Sequence, residues 1–280
     1  MGNDAGWWGR FWEDGERTGP GRSRALDEAT WFGQIWTVAL EDLRDSLERL
    51  APGRRLLECG CGSARASRFL ARAGFDCTMM DYSLPALRLA AAGFAADGLP
   101  GRFAAGDILA LSFREGSFDA VHSGGVLEFF ADIKAPIREM VRVLRPGGVF
   151  SATIVPRKFS AQTVADWERT AARFSAHALR GDVRGAFGRI RSIPAEYRLN
   201  AASLEDYAEA CRQAGLGAVT GRCATPFPEL ALPPFAEAWY ARLMGRARPA
   251  WRRFNRSGGR WARIWGLTYV LTGTKGGRAS

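Results

Sequence analysis

The residues best suited to chemistry lie in one stretch, Leu56 to Ser67, which reads LLECGCGSARAS. An apolar strand runs into Glu58-Cys59-Gly60-Cys61-Gly62-Ser63-Ala64 and then into a helix, so two glycines stand where the chain must turn sharply and let a ligand touch the backbone. The helix N-terminus, with its unsatisfied N–H groups, faces that ligand. Two cofactor classes use such a turn: dinucleotides, through GxGxxG, and S-adenosylmethionine, through an acid two positions before the first glycine. Asp81, 21 residues after Gly60 at the end of a second strand, serves either, because a carboxylate there can accept both ribose hydroxyls. Three details favour S-adenosylmethionine. Arg65 stands where a dinucleotide site wants its third glycine, Glu58 is the acid two before Gly60, and Asp107 in AAGD ends a third strand. From there it can accept from the exocyclic amine of adenine while the amide of Ile108 serves a ring nitrogen.

Alternating elements must position these groups. Residues 24–50 have helical spacing, with Leu26, Ile35, Val38, Leu40, Leu43, Leu47 and Leu50 on one apolar face, and Pro52-Gly53 stops the pattern. Strands are expected at 55–59, 75–81, 102–106, 118–123 and 149–155, with helices at 64–73 and 83–96. Ser83 is a plausible N-cap, and a further helix is marked by Ile133, Ile137, Met140, Val141 and Leu144 and ended by Pro146-Gly147-Gly148. Strands alternating with helices imply a parallel sheet with right-handed crossovers. After Pro156 the rhythm breaks into an insertion at 157–202. A helix capped by Ser203, a strand at 217–223, a Pro- and Arg-rich insertion and a last strand at 266–274 follow.

Composition bounds the class. With 280 residues, 47% hydrophobic and 24% charged, the chain can bury a full core, which excludes intrinsic disorder and a disulfide miniprotein. No uncharged apolar run approaches the roughly 18 to 20 residues of a spanning helix, and the start lacks a signal-peptide pattern, so a cytoplasmic protein is expected. Cys59, Cys61, Cys77, Cys211 and Cys223 form no CxxC pair and have only His122 and His177 beside them, so neither a zinc site nor a disulfide framework is expected. Cys59 and Cys61 read as packing residues of the turn. The net charge of +10 is local: residues 238–280 carry nine Arg, one Lys and no acid, while residues 1–237 balance at 29 basic and 29 acidic groups.

The chain resembles a class I S-adenosylmethionine-dependent methyltransferase of the broad group that includes ubiquinone and menaquinone biosynthesis enzymes. The resemblance covers about 55–155, through LLECGCGSA, TMMDYS, AAGDILALSF, FDAVHSGGVLEFF and VLRPGGVFSATI in order. It implies an α/β doubly wound, Rossmann-like sheet of seven strands with the last antiparallel. The organisation expected is an N-terminal helical cap (1–50), a cofactor-binding core (51–156), a cap insertion (157–202), a core continuation (203–225), a basic Trp/Arg-rich insertion (226–265) and a last strand with tail (266–280). By the same resemblance Glu58, Gly60, Gly62 and Ser63 cradle the amino-acid part of S-adenosylmethionine, Asp81 holds the ribose, and Tyr82 flanks the adenine. Asp107 and Ile108 read the adenine, and Ser123 and Gly124 line the methyl side. Ala64 departs from the family's usual glycine; it adds only a methyl, so tolerance is expected.

The expected reaction is methyl transfer to a small, apolar or aromatic metabolite. The methyl is already activated by its sulfonium, so the protein must mainly align a nucleophile and exclude water. Glu128 is the preferred base, in the segment Leu127-Glu128-Phe129-Phe130 after the fourth strand; a helix-start carboxylate is its plainer reading. His122 is the second choice, since strand alternation turns it away from whatever Ser123 faces and makes it a packed core histidine. Acceptor contacts are expected from Trp31, Trp36, Glu128 and Phe129, and His177 is either a substrate contact or solvated. Tryptophans crowd the first 36 residues and the tail, where Phe235, Trp239, Leu243 and Ala247 share a helical face among arginines. A solvated basic face over a packed helix is the first reading of that tail. Peripheral membrane contact through 238–265, with a quinone- or lipid-like acceptor, comes next, then an acidic small substrate and RNA. Nucleic acid is disfavoured further by HSGG after the fourth strand, where exocyclic-amine methylases carry (D/N)PP(Y/F). A non-catalytic, cofactor-binding interaction protein is the alternative from another class, and the oligomeric state is left open.

Overall fold

The computed structural model describes residues 12–13, 31–157, 181, 200–224, 234–266 and 268–276. Seven strands form one sheet: β1 (Arg55–Cys59), β2 (Asp76–Asp81), β3 (Arg102–Ala105), β4 (Phe118–Gly124), β5 (Leu144–Ile154), β6 (Leu216–Cys223) and β7 (Tyr269–Lys275). Their order is β3-β2-β1-β4-β5-β7-β6. The first five run parallel, and β7 is antiparallel to both β5 and β6. This is the doubly wound α/β sheet that the alternation implies.

The helices are α1 (Trp31–Leu50), α2 (Arg65–Arg72), α3 (Leu84–Ala96), α4 (Lys134–Val143), α5 (Leu204–Gln213), α6 (Pro234–Arg256) and α7 (Arg260–Trp265), with a 3-10 turn at Leu127–Phe129. Their starts follow local chemistry. The Ser83 hydroxyl accepts from Ala86 N–H at the head of α3, and Ser203 and Asp206 form a reciprocal capping box at the head of α5. Helices cover both faces of the sheet. Leu40, Leu43 and Leu47 of α1, Leu70 of α2 and Phe94 of α3 pack with Leu56, Ala120 and Val149 on one face. Ile137 and Met140 of α4 and Tyr207 and Cys211 of α5 pack with Val121 and Phe150 on the other.

Two elements differ from the sequence reading. Strand β5 begins at Leu144, which pairs with Phe118; the chain then bulges through Arg145-Pro146-Gly147-Gly148 and re-enters the ladder where Val149 pairs with Ala120. Pro146, without an N–H, and Gly147 at φ +75 read as a turn and hide this early pairing. The second difference is α6, a long helix that runs on past Pro249 and packs along α1, with Trp251 and Val38 buried between them. Arg248, Arg252 and Arg256, spaced one turn apart, meet Glu41, Asp42 and Asp45 of α1. Part of the basic tail is therefore spent in ion pairs. Trp167 and His177 lie outside the described residues, as does the side chain of Trp31. Among the described residues no helix is long and apolar enough to cross a membrane, no group of three or more His, Cys, Asp or Glu could hold a metal ion, and all five cysteines are buried as free thiols.

Candidate active site

A cavity of about 650 Å³ opens at the carboxyl ends of β1, β2 and β4. Chain order reverses between β1 and β4, and in open α/β sheets such a reversal leaves a crevice for ligands. The turn after β1 forms its floor. Gly60 and Cys61 both donate to the Met80 carbonyl, at 2.8 and 3.0 Å, which ties the turn to β2. Gly60 and Gly62 have φ of +66° and +52°; a Cβ would stand 2.6 Å from Val126 at the first and 2.5 Å from the Trp12 ring at the second. The turn thus leaves no room for side chains, since Val126 packs against Gly60 and Trp12 against Gly62. Ala64 has φ 53° and caps α2 without a side-chain hydrogen bond. Glycine suits that position for its backbone angle as well as its bulk, so the extra methyl carries strain that a size argument overlooks.

Acids at this end are held by backbone N–H groups. Asp81 accepts from Gly62 N–H and from Ser83 N–H, both at 2.9 Å, which locks the glycine turn to the head of α3. Burial raises its pKa, and those bonds with that of Tyr82 oppose the rise. With three backbone N–H donors on its two oxygens, the carboxylate keeps one lone-pair position for a ligand hydroxyl. Glu58 accepts from Ser67 N–H at 3.0 Å in the first turn of α2, and burial pushes its pKa up to about 7 against that bond. Asp107 is exposed on the wall and accepts from Leu109 N–H at 2.9 Å.

Of the residues expected to bind cofactor, Glu58, Gly60, Gly62, Ser63, Asp81, Tyr82, Asp107, Ile108 and Gly124 all line this cavity. Ser123 does not. Its hydroxyl is buried without a partner, while His122 and Gly124 face the cavity instead. The reason is register: Glu58 of β1 pairs with His122 of β4, so the two share a face and Ser123 takes the other. Burial lowers the His122 pKa to about 4, so the ring is neutral at physiological pH; the Ser151 backbone opposes this without reaching bonding geometry at Nδ1.

Glu128 also departs from expectation. In the 3-10 turn its side chain points inward and accepts from Val155 N–H at 2.8 Å, while Phe129 and Phe130 reach the cavity. Asn200 holds that turn from the other side: its backbone N–H donates to the Glu128 carbonyl at 2.7 Å and its Nδ2 to the carbonyls of Leu127 and Phe130. Burial raises the Glu128 pKa to about 7.

Trp36 lines the cavity with the Arg65 guanidinium 5.2 Å from its ring centre, and Arg65 also donates to the Ser63 hydroxyl at 3.3 Å. Trp12, absent from the residues expected to contact the acceptor, lies across Gly62 and completes an aromatic wall with Trp36, Phe129 and Phe130. Its only signal in the sequence is the crowding of tryptophans near the start.

Comparison with known proteins agrees with this geometry. Residues 57–152 match the model of a methyltransferase domain. Over 124 residues the chain is 34% identical to a 2-methyl-6-phytyl-1,4-hydroquinone methyltransferase of Synechocystis sp., covering 44% of this chain and 35% of that protein. Over 150 residues it is 31% identical to a malonyl-acyl-carrier-protein O-methyltransferase of Salmonella typhimurium, covering 49% and 58%. The chain thus spans 35% and 58% of the length of these two relatives. Among solved structures, the cyclase SpnF shares the fold with a TM-score of 0.58 at 23% identity, over 89% of this chain and 83% of that one. Fold, glycine turn and family match converge: residues 57–152 form a class I methyltransferase domain, and S-adenosylmethionine is its cofactor.

Proposed function

We propose that the protein transfers the methyl group of S-adenosylmethionine to a small apolar or aromatic acceptor. The observation that carries this reading is that one cavity combines the glycine turn and Asp81 with a wall of Trp12, Trp36, Phe129 and Phe130. When bound, the cofactor supplies a sulfonium-activated methyl. The chain's own part is to hold and to exclude: the turn backbone with Asp81 fixes one end, Asp107 and Ile108 read the other, and the aromatic wall keeps water from a planar acceptor. His122 lines the same cavity beside Glu58, and its low pKa makes it a weak base. An acceptor that ionises readily, or needs no base, fits such a site better than an unactivated alcohol.

The finer reading is a quinone- or lipid-like acceptor met at an anionic membrane surface. The outer face of α6 supports it: Trp239 and Leu243 are 64% and 42% exposed, with exposed Arg242 and Arg246 on the same side. The hydroquinone named for the Synechocystis relative is an acceptor of that kind.

The test is incubation of the purified protein with methyl-labelled S-adenosylmethionine and an extract of its source organism, followed by partition of the label, with Asp81→Ala as control. Label in the organic fraction supports the proposal, and label in RNA overturns it. Absence of label with S-adenosylhomocysteine still bound favours a non-catalytic protein. Salt-sensitive co-sedimentation with phosphatidylglycerol vesicles, lost in Trp239→Ala/Arg242→Gln, supports the membrane reading; indifference to anionic lipid removes it.

A further inference from the structure

Strand β4 closes on His122-Ser123-Gly124 and is followed by Gly125. Ser123 turns away from the cavity, whereas His122, Gly124 and Gly125 line it. His122 is 2% exposed, and its two ring nitrogens differ. Nδ1 is sealed inside the protein. Nε2 keeps accessible surface, and among the described residues no group forms a hydrogen bond with it.

The glycines hold that nitrogen open. Gly124 does not take a left-handed angle, so its backbone would accept a side chain, yet a Cβ there would stand 3.3 Å from Nε2. At Gly125 a Cβ would meet nothing within 4 Å. The wall is therefore bare where the ring reaches it, which gives the paired glycines after His122 a reason in space rather than in backbone conformation.

The ring's protonation decides what it offers. Burial keeps it neutral, and a neutral imidazole has one N–H and one lone pair. His122 pairs with Ser151 of β5, and the Ser151 backbone favours the protonated ring against burial, the effect of a carbonyl that faces a ring N–H. The inward Nδ1 thus takes the proton, and Nε2 presents its lone pair to the cavity. A lone pair so placed, in the cavity that Trp12, Trp36, Phe129 and Phe130 also line, is costly to leave without a donor.

We infer that His122 binds the methyl acceptor, its Nε2 accepting a hydrogen bond from an O–H or N–H on a planar aromatic ring. The inference rests on the aromatic acceptor proposed above and narrows it to phenols and aromatic amines. His122 then orients the acceptor by recognition, and the shared proton stays on the acceptor.

The probes are 1-naphthol and 1-methylnaphthalene, which differ by a hydroxyl against a methyl at one position. Each is titrated calorimetrically into full-length protein saturated with S-adenosylhomocysteine. The ratio of their affinities, naphthol over methylnaphthalene, should fall about fivefold or more in His122→Phe, the worth of one hydrogen bond. His122→Gln, which can set an amide oxygen near the place of Nε2, should restore most of that ratio, and Gly124→Ala should lower it with the ring intact. A ratio unchanged in both His122→Phe and Gly124→Ala would overturn the assignment. So would an unchanged ratio with weakened S-adenosylhomocysteine binding in His122→Phe, which would give the lone pair to the cofactor's ammonium group. Failure of both probes to bind the wild type would overturn the aromatic acceptor itself, and the inference with it.

Discussion

Helix α1 connects two regions that handle charge in opposite ways. At the cofactor end, where Trp36 lines the cavity, Glu58 and Asp81 are held by backbone N–H groups, and burial raises both of their pKa values. Along the C-terminal half of α1, acids are held by guanidinium groups instead. Burial alone would raise the Asp45 pKa, yet Arg44, Arg252 and Arg256 together hold it below its usual value, and Asp42 and Asp45 lift that of Arg252 against burial. A carboxylate held by peptide dipoles keeps lone pairs for a ligand, whereas one saturated by arginines has little left to offer. Charge at the first region therefore serves binding, and charge in the α1–α6 layer serves cohesion.

Substitutions in the two regions should therefore sort into losses of binding and losses of stability. Asp81→Ala removes the anchor of the glycine turn and two charge-assisted bonds, so affinity for S-adenosylhomocysteine should fall about 100-fold or more, with the circular dichroism spectrum retained. An unchanged affinity in that titration would sink the binding role of the first region. Arg252→Met keeps volume and strands Asp42 and Asp45 with fewer partners; urea unfolding should show a loss of about 2–3 kcal/mol while cofactor affinity stays at the wild-type value.

Buried Glu128, Glu58 and His122 make stability depend on pH. The folded pKa of Glu128 stands at about 7 against an ordinary 4.5, so the folded state keeps a proton that the unfolded chain releases. Its contribution to stability therefore falls as pH rises between those values, and Glu58 acts in the same direction over the same window. His122, lowered from 6.5 to about 4, works oppositely and adds stability as pH rises through that interval. Glu128→Gln should thus gain on the order of 2 kcal/mol over wild type above pH ~7 and nothing below pH ~4, with the Val155 bond kept by the amide oxygen. Equal differences at both pH values would remove the titration argument. The smallest effect is at the turn itself: Ala64→Gly relieves a left-handed angle and should raise stability by about 1 kcal/mol, read as a shift in the denaturation midpoint.

Much of the fold is legible from the chain alone, because its signals are local. The strand at 55–59, the Ser83 cap and the Ser203 cap appear where alternation and capping chemistry put them. Strand β5 is longer than expected because its first pairing residue, Leu144, lies on the far side of a Pro-Gly-Gly segment that reads as a stop. In the site, nine of the ten residues expected to bind cofactor line one cavity, since they sit on turns whose place follows from strand order. Ser123 and Glu128 fall elsewhere because a strand's facing depends on its register with a neighbour, and a 3-10 turn changes direction at every residue.

By itself the sequence determined the glycine turn, the acids at successive strand ends and the alternating architecture, all of which follow from backbone preferences within a few residues. Only the tertiary structure decided that His122 shares a face with Glu58, that Trp12 lies across Gly62, and that Arg252 reaches Asp42 across 210 residues of chain. Those outcomes depend on how distant segments pack and which buried charges find partners, and no local spacing rule records either.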